Sequence, residues 1–330
     1  MNWKSLLGYA IAAACLLWVF HDIDFRELPD SLKTINWWYV MAAVLFDTLS
    51  YVCQGIRWSL LLRPVGRVSS LRATEAIYAG LFVNEILPMR LGEVLRIYLV
   101  SQWALVRFAA VIPSILVERF VDAIWLALAF GVTVLFVPLP KYLVDAEWIL
   151  ASIALAAAVL FIYLVVARRG EKTGGQEGKP AGKRVFGRIS DLLSHMAGGI
   201  RDIGQSRYLY SSFFISLFFL VGQILSFWLV MPACGLNLSF WHGAAIFLIV
   251  HVGTVIPSAP SNLGTYQFFT VVGLTLFGVD KTLATGFSVV VFVILTAPLW
   301  AIGFFVFGRL GLSLKDIRTK IAALGDSQGE

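Results

Sequence analysis

"NEILPMRLGEVLR", Asn84 to Arg96, lies inside a long apolar region yet carries Asn84, Glu85, Arg90, Glu93 and Arg96. Pro88 and Gly92 interrupt the same stretch. A helix passing straight through lipid tolerates neither that many charges nor two breakers so close together. The way this segment is accommodated decides the fold.

The surrounding chain is 59% hydrophobic and 14% charged over 330 residues. Soluble domains carry about 25% charged residues, so a soluble fold is excluded. Apolar runs long enough to span a bilayer recur, and they are continuous rather than alternating. That selects helices over a β-barrel. The expected fold is an all-α polytopic membrane protein forming one integral membrane domain. Cys15, Cys53 and Cys234 all fall in apolar segments and suggest neither disulfides nor a metal site. The N-terminus has the look of a signal peptide, with Lys4 ahead of Leu6 to Phe20. The apolar run continues through "LLWVF", so it reads as an uncleaved first helix.

Lys and Arg mark the cytoplasmic side. "HDIDFRELPD" after the first helix is acid-rich and faces outward. Arg57, Arg63, Arg67 and Arg72 place the end of the second span, Trp38 to Leu62, inside. The basic linker 168–190 is also cytoplasmic. Residues 73–105 then begin and end inside, and residues 240–278 begin and end outside. Each is expected to be a re-entrant pair of short broken helices. About six full spans complete the fold: Leu6 to Phe20, Trp38 to Leu62, Ala109 to Val137, Glu147 to Ala167, Tyr208 to Pro232 and Leu283 to Phe307. A tail, 311–330, follows, and both termini come out cytoplasmic in a bacterial inner membrane.

An offset of 169 aligns Tyr39 with Tyr208, Gln54 with Gln223, Gly66 with Gly235 and Pro88 with Pro257. Two amphipathic stretches also correspond: Phe25, Leu28, Leu32 and Ile35, and Leu193, Met196, Ile200 and Ile203. These suit helices lying in the membrane interface. The charge-derived directions make the repeat inverted, with one unit at 1–140 and the other at 145–310. Inverted repeats with broken hairpins at matching positions point to a transporter whose site lies between the hairpins.

Each charge at mid-bilayer costs about 2.5–3.5 kcal/mol on insertion scales, so the polar groups are expected to face protein or a wet cavity. Arg90 with Glu93, and Glu93 with Arg96, are three apart and can pair along one helix face. Backbone N–H groups freed near Pro88 favour an anion. "ERFVD" supplies Glu118, Arg119 and Asp122, whose carboxylates share a face and can answer the hairpin arginines. The alternative is an ion-pair network that only fixes helix packing. Arg57 either contacts phosphate or snorkels to the cytoplasmic surface, the latter being preferred. The second hairpin is uncharged and offers Ser258, Ser261, Asn262 and Gln267 for hydrogen bonding. Pro88, Gly92, Pro257, Pro260 and Gly264 are the expected hinges. His251 as a proton carrier ranks low, and Asp47 has no sequence-local partner. No nucleotide, zinc or hydrolase motif occurs, so no cofactor is expected and an enzyme is the less favoured class.

"GLFVNEILPMRLGEVLRIYLV", "SILVERFVDAIWL" and "VIPSAPSNLGTYQ" together resemble the transmembrane domain of the lysylphosphatidylglycerol synthase family. This flippase-like family includes the membrane half of the multiple peptide resistance factor. The pattern N-x-x-x-P-x-R-x-G-E-x-x-R falls on Asn84, Pro88, Arg90, Gly92, Glu93 and Arg96. The chain departs from the family's P-G-x-x-G-x-x-E in the second hairpin, with Ser261 after Pro260 and Gln267 in place of an acid. With no soluble synthase domain in these residues, the resemblance implies translocation of a polar, phosphate-bearing or otherwise anionic lipid rather than lysine transfer. The alternatives are an intramembrane lipid-modifying transferase and a scaffold for a separate lipid synthase. Expected partners are the lipid, with a second copy of the chain or a separate lipid-modifying enzyme beside it, and no nucleic acid.

Overall fold

The computed structural model describes residues 3–21, 35–87, 91–166, 198–255 and 259–311. Among the described residues there is no strand, and the protein is an all-α membrane protein. The helices are α1 (Trp3–Phe20), α2 (Trp37–Leu62), α3 (Ser70–Ile86), α4 (Leu91–Ala104), α5 (Phe108–Phe136), α6 (Lys141–Val166), α7 (Arg207–Ala233), α8 (Phe240–Gly253), α9 (Thr265–Leu276) and α10 (Lys281–Arg309). Four of them, α2, α5, α7 and α10, are long and apolar enough to cross a membrane. The 18-residue α1 and the 26-residue α6 occupy the places of the other two expected spans.

Side-chain caps set where the helices begin. Asn36 accepts from the Trp38 N–H at the start of α2, and Ser206 accepts from the Tyr208 N–H at the start of α7. Ser69 and Ser239 do the same for α3 and α8. Each cap satisfies a backbone donor that has no intrahelical partner. The order of a long helix, two short helices and a long helix therefore occurs twice, as α2 to α5 and as α7 to α10.

α2 and α7 pack along their whole lengths in opposite directions. The Asn36 N–H donates to Ala233 O, Gln223 Nε2 to Ser50 Oγ, and Arg57 to Ser216 Oγ, while Arg63 lies over the Tyr208 ring. Partner numbers fall on α7 as they rise on α2. The helices cross at Gly222, where an added Cβ would stand 3.0 Å from Ser50 Cβ. α3 packs on α2 and also on α10, and α8 packs on α7 and also on α5. Each pair of short helices is thus seated against a long helix of the other set. Trp58, Tyr78 and Val100 centre one apolar core; Phe227, Phe247 and Phe287 centre the other.

The break between α3 and α4 has a local cause. Proline disfavours the helical region for the residue before it. Leu87 precedes Pro88 and is extended, at φ −107° and ψ 137°. α4 then returns against α3 with backbone nearly touching backbone. A Cβ on Gly92 would collide with the Gly80 carbonyl, and one on Gly80 would lie 2.6 Å from Arg96 Cγ. Gly92 is thus a close packing contact between α3 and α4.

The amphipathic stretch at Phe25, Leu28 and Leu32 lies outside the described residues, as do Leu193 and Met196. Residues 198–204 are helical, and Ile203 is buried in the first core. Ile203 therefore packs on the bundle.

Replacing Gly92 with Val should push α4 off α3. We expect a loss of about 1–3 kcal/mol, typical of overpacking, read as a lowered unfolding temperature in detergent. Gly308→Ala is the control, since a Cβ at Gly308 meets nothing within 4 Å.

Candidate functional site

Three helices meet at one carboxylate, and a fourth touches its arginine partner. Glu118 of α5 is fully buried. Its Oε1 accepts from Gln54 Nε2 at 2.8 Å and from Arg57 at 2.9 Å, both on α2. Its Oε2 accepts from Arg96 of α4 at 2.9 Å. One helical turn on, Asp122 takes the other side of the Arg57 guanidinium. Ser216 of α7 accepts from Arg57 at 3.0 Å. The two buried guanidiniums are also stacked, Arg96 over the Trp58 ring at 4.4 Å and Arg57 over Phe219 at 5.2 Å. Planar, weakly hydrated guanidinium suits this role better than an ammonium.

A second arm runs outward. Arg119 donates to Glu93 of α4 at 2.6 Å and lies 4.0 Å from Asp122. The Arg119 and Glu93 side chains are 47% and 27% exposed, against 0% for Arg57 and Glu118. Arg57, Arg96 and Arg119 face Glu93, Glu118 and Asp122, three positive against three negative. The network is therefore neutral as a whole. It is not saturated in hydrogen bonds: Gln54 Oε1, Arg57 Nε and Arg96 Nε are buried without a partner among the described residues.

Several expectations change. Arg57 does not snorkel; it is completely buried. The guanidinium is already matched by two carboxylates, so it has no need of water. Glu93 and Arg96 do not pair along α4: Glu93 turns to Arg119 and Arg96 to Glu118. Both partners, the Arg119 guanidinium and the Glu118 carboxylate, sit on α5. Glu118 and Asp122 do share one face, and Glu118 answers a hairpin arginine.

Asn84 and Gln267 stand apart from the charges. Asn84 Oδ1 accepts from the Gly92 N–H at 2.8 Å, capping the start of α4. Gln267 Oε1 accepts from the Gly264 N–H at 2.7 Å, capping α9. The donors freed by each break are thus taken partly by protein. Gly264 is required by its backbone: its φ is +89°, and a Cβ there would lie 2.5 Å from Ala12 O of α1. Pro260 opens a short 3₁₀ turn, Pro260–Asn262, in which Ser261 and Asn262 have φ of 60° and 51°. Ser261 Oγ donates to the Glu85 backbone oxygen at 3.1 Å, so the two breaks touch. The Glu85 carboxylate accepts from Trp300 Nε1 of α10 at 3.2 Å. Pro88, Arg90, Pro257 and Ser258 lie outside the described residues.

Gln54, Trp58 and Ser216 belong to the network and were not singled out from sequence as site residues. Gln54 is three residues before Arg57, a polar pair on one face of an apolar helix, and that signal was available. Ser216 carried none.

Residues 5–303 match the family model described as Lysylphosphatidylglycerol synthase TM region. A UPF0104 membrane protein of Methanothermobacter thermautotrophicus is 22% identical over 308 residues, covering 88% of this chain and 90% of the relative. A UPF0104 membrane protein of Methanocaldococcus jannaschii is 24% identical, covering 85% and 87%.

Glu118→Gln leaves two buried arginines short of a counter-charge. The expected loss is about 3–5 kcal/mol. Glu93→Gln cuts only the exposed arm and should cost about 0–1 kcal/mol. Denaturant unfolding of the two variants side by side checks the contrast.

Proposed function

Because the chain belongs to the lysylphosphatidylglycerol synthase transmembrane-region family, we propose that it moves a lipid with an anionic, phosphate-bearing headgroup between membrane leaflets. The observation that carries this reading is the contact between the two breaks. Ser261, from the second pair of short helices, meets Glu85 of the first, between long helices that run in opposite directions. Two broken pairs facing one another in antiparallel halves is the arrangement in which rocking one half against the other exposes a midplane site alternately to each side. The two halves form an inverted repeat in this reading. The host is a cytoplasmic membrane, with both chain termini on the inner side.

The network assigns different tasks to its charges. Arg57 and Arg96 are locked to Glu118 and hold α2, α4 and α5 together as one body. Arg119 is the half-exposed cation, and its partner Glu93 is half-exposed too. A phosphate headgroup displaces Glu93 from Arg119 without unpacking the bundle. A guanidinium grips two phosphate oxygens at once, which suits capture of a headgroup.

Two measurements in vesicles containing fluorescent phosphatidylglycerol test this. Ile86→Cys and Ser261→Cys are introduced into a chain whose Cys15, Cys53 and Cys234 are Ala, and joined with a short thiol crosslinker. Lipid movement should stop and should return when a cleavable linker is cut. Movement that persists through the crosslink sinks the alternating-contact mechanism. Arg119→Ala should slow movement about tenfold or more, consistent with losing one charge-assisted contact of about 1.5–3 kcal/mol. Arg119→Lys should recover part of the rate.

A further inference from the structure

Every buried carboxylate of the ion network is met by arginine. Asp47 of α2 is not. Its residue is 4% exposed, as deeply placed as Arg96. Oδ1 accepts from Gln223 Nε2 of α7 at 3.0 Å, and Gln223 is neutral. Among the described residues no Lys, Arg or His forms an ion pair with it. Arg57 is ten residues further along α2, about 15 Å by helix rise, and is taken by Glu118 and Asp122.

The groups around Asp47 are uncharged acids and amides rather than cations. On α2, Tyr51 lies one turn on, and the Ser50 hydroxyl donates to the Asp47 carbonyl at 2.7 Å. From α3, the Tyr78 hydroxyl donates to the Thr48 carbonyl at 3.4 Å. From α9 comes Tyr266. Tyr51, Tyr78 and Tyr266 all lie within the electrostatic reach of Asp47, and Tyr51 is within that of Glu85 as well. Among the described residues, α5 presents its carboxylates to the arginines instead, and the polar contact from α10 on this side is the Trp300 indole on Glu85. Tyr51 and Tyr78 rings stand 5.8 Å apart. The Trp300 indole that meets Glu85 is 46% exposed.

A carboxylate held in an apolar layer with no counter-charge is strongly disfavoured; it takes a proton or a cation. The donors at Asp47 decide between them. Gln223 Nε2 points at both Asp47 Oδ1 and Ser50 Oγ. Ser50 already spends its own hydrogen on a backbone carbonyl. A sodium ion needs several oxygen ligands with lone pairs turned inward, and an amide N–H in that shell opposes it. A proton needs one free carboxyl oxygen, and Asp47 keeps Oδ2. We infer that Asp47 is a proton-binding site and that its proton is exchanged as the antiparallel halves move. The coupling rests on the transport reading above; the proton site itself does not.

The test is Asp47→Asn in protein reconstituted into phosphatidylglycerol and phosphatidylcholine vesicles. Infrared difference spectra at neutral pH should show a carboxylic-acid carbonyl band in the unsubstituted protein that Asp47→Asn removes. The amide is close in shape to the protonated acid and retains an oxygen for Gln223, so the variant should unfold at the unsubstituted protein's temperature. Absence of the band, or a band that sodium but not choline abolishes, overturns the proton site. So does marked destabilisation by Asp47→Asn, which would reveal a charged Asp47 paired with a cation. In fluorescent phosphatidylglycerol vesicles, an imposed pH gradient should change the lipid rate of the unsubstituted protein and leave that of Asp47→Asn unchanged. Lipid movement indifferent to the gradient overturns the coupling. No lipid movement at all overturns the transport reading, while the infrared band still decides the proton site.

Discussion

Glu118 between Arg57 and Arg96 is the interaction on which the first half of the structure rests. A carboxylate and two guanidiniums have been taken out of water together, and each is tolerable only because the others are there. The geometry is also specific. Arg57 comes from α2, Arg96 from the returning half of a broken pair, and Glu118 from α5, so the three helices must arrive in one register for the charges to meet. Apolar packing alone would allow these helices to slide. The Trp58 and Phe219 rings covering the guanidiniums keep the attraction from being weakened by water.

Breaking a helix in an apolar layer raises the question of where its backbone donors go. Both breaks answer with a side-chain amide: Asn84 reaches forward to Gly92, and Gln267 reaches back to Gly264. A glutamate at 267 has the same acceptor oxygen in the same place. An acid at this position would therefore make the same cap. Ser261 has a comparable explanation. Its φ of 60° belongs to the left-handed region that glycine enters without steric cost. Here the strain of a serine is offset by its hydroxyl bond to Glu85, a bond that glycine lacks.

The helices were legible because apolar run length and charge asymmetry report directly on what lipid permits. The expected span Trp38 to Leu62 is found as Trp37–Leu62, and Tyr208 to Pro232 as Arg207–Ala233. The break at Pro88 was legible because proline acts on its neighbour locally. Side-chain partners were not. Spacing along α4 suggested Glu93 with Arg96, but an ion pair is chosen by distance in space, and α5 brings better partners to both. Arg57 was misread for the same reason: its two carboxylates lie more than sixty residues away in sequence. The close packing of Gly92 was not legible either, because it depends on the backbone of Gly80 on a different helix.

The two halves use one scaffold with unequal charge, and α2 shows how. It carries Arg57 near one end of its contact with α7 and Asp47 near the other, on either side of the crossing at Ser50 and Gly222. Arg57 is fully compensated within its own half and merely touches Ser216 across the contact. Among the described residues, the Asp47 carboxylate finds its hydrogen bond across the contact, from Gln223. A shift of α7 against α2 would leave the Arg57 charges paired but take the Gln223 donor from Asp47. One end of the crossing is insensitive to relative motion and the other is sensitive to it. That asymmetry, set by which side of the crossing holds the arginine, is what the proposed coupling of motion to protonation would draw on.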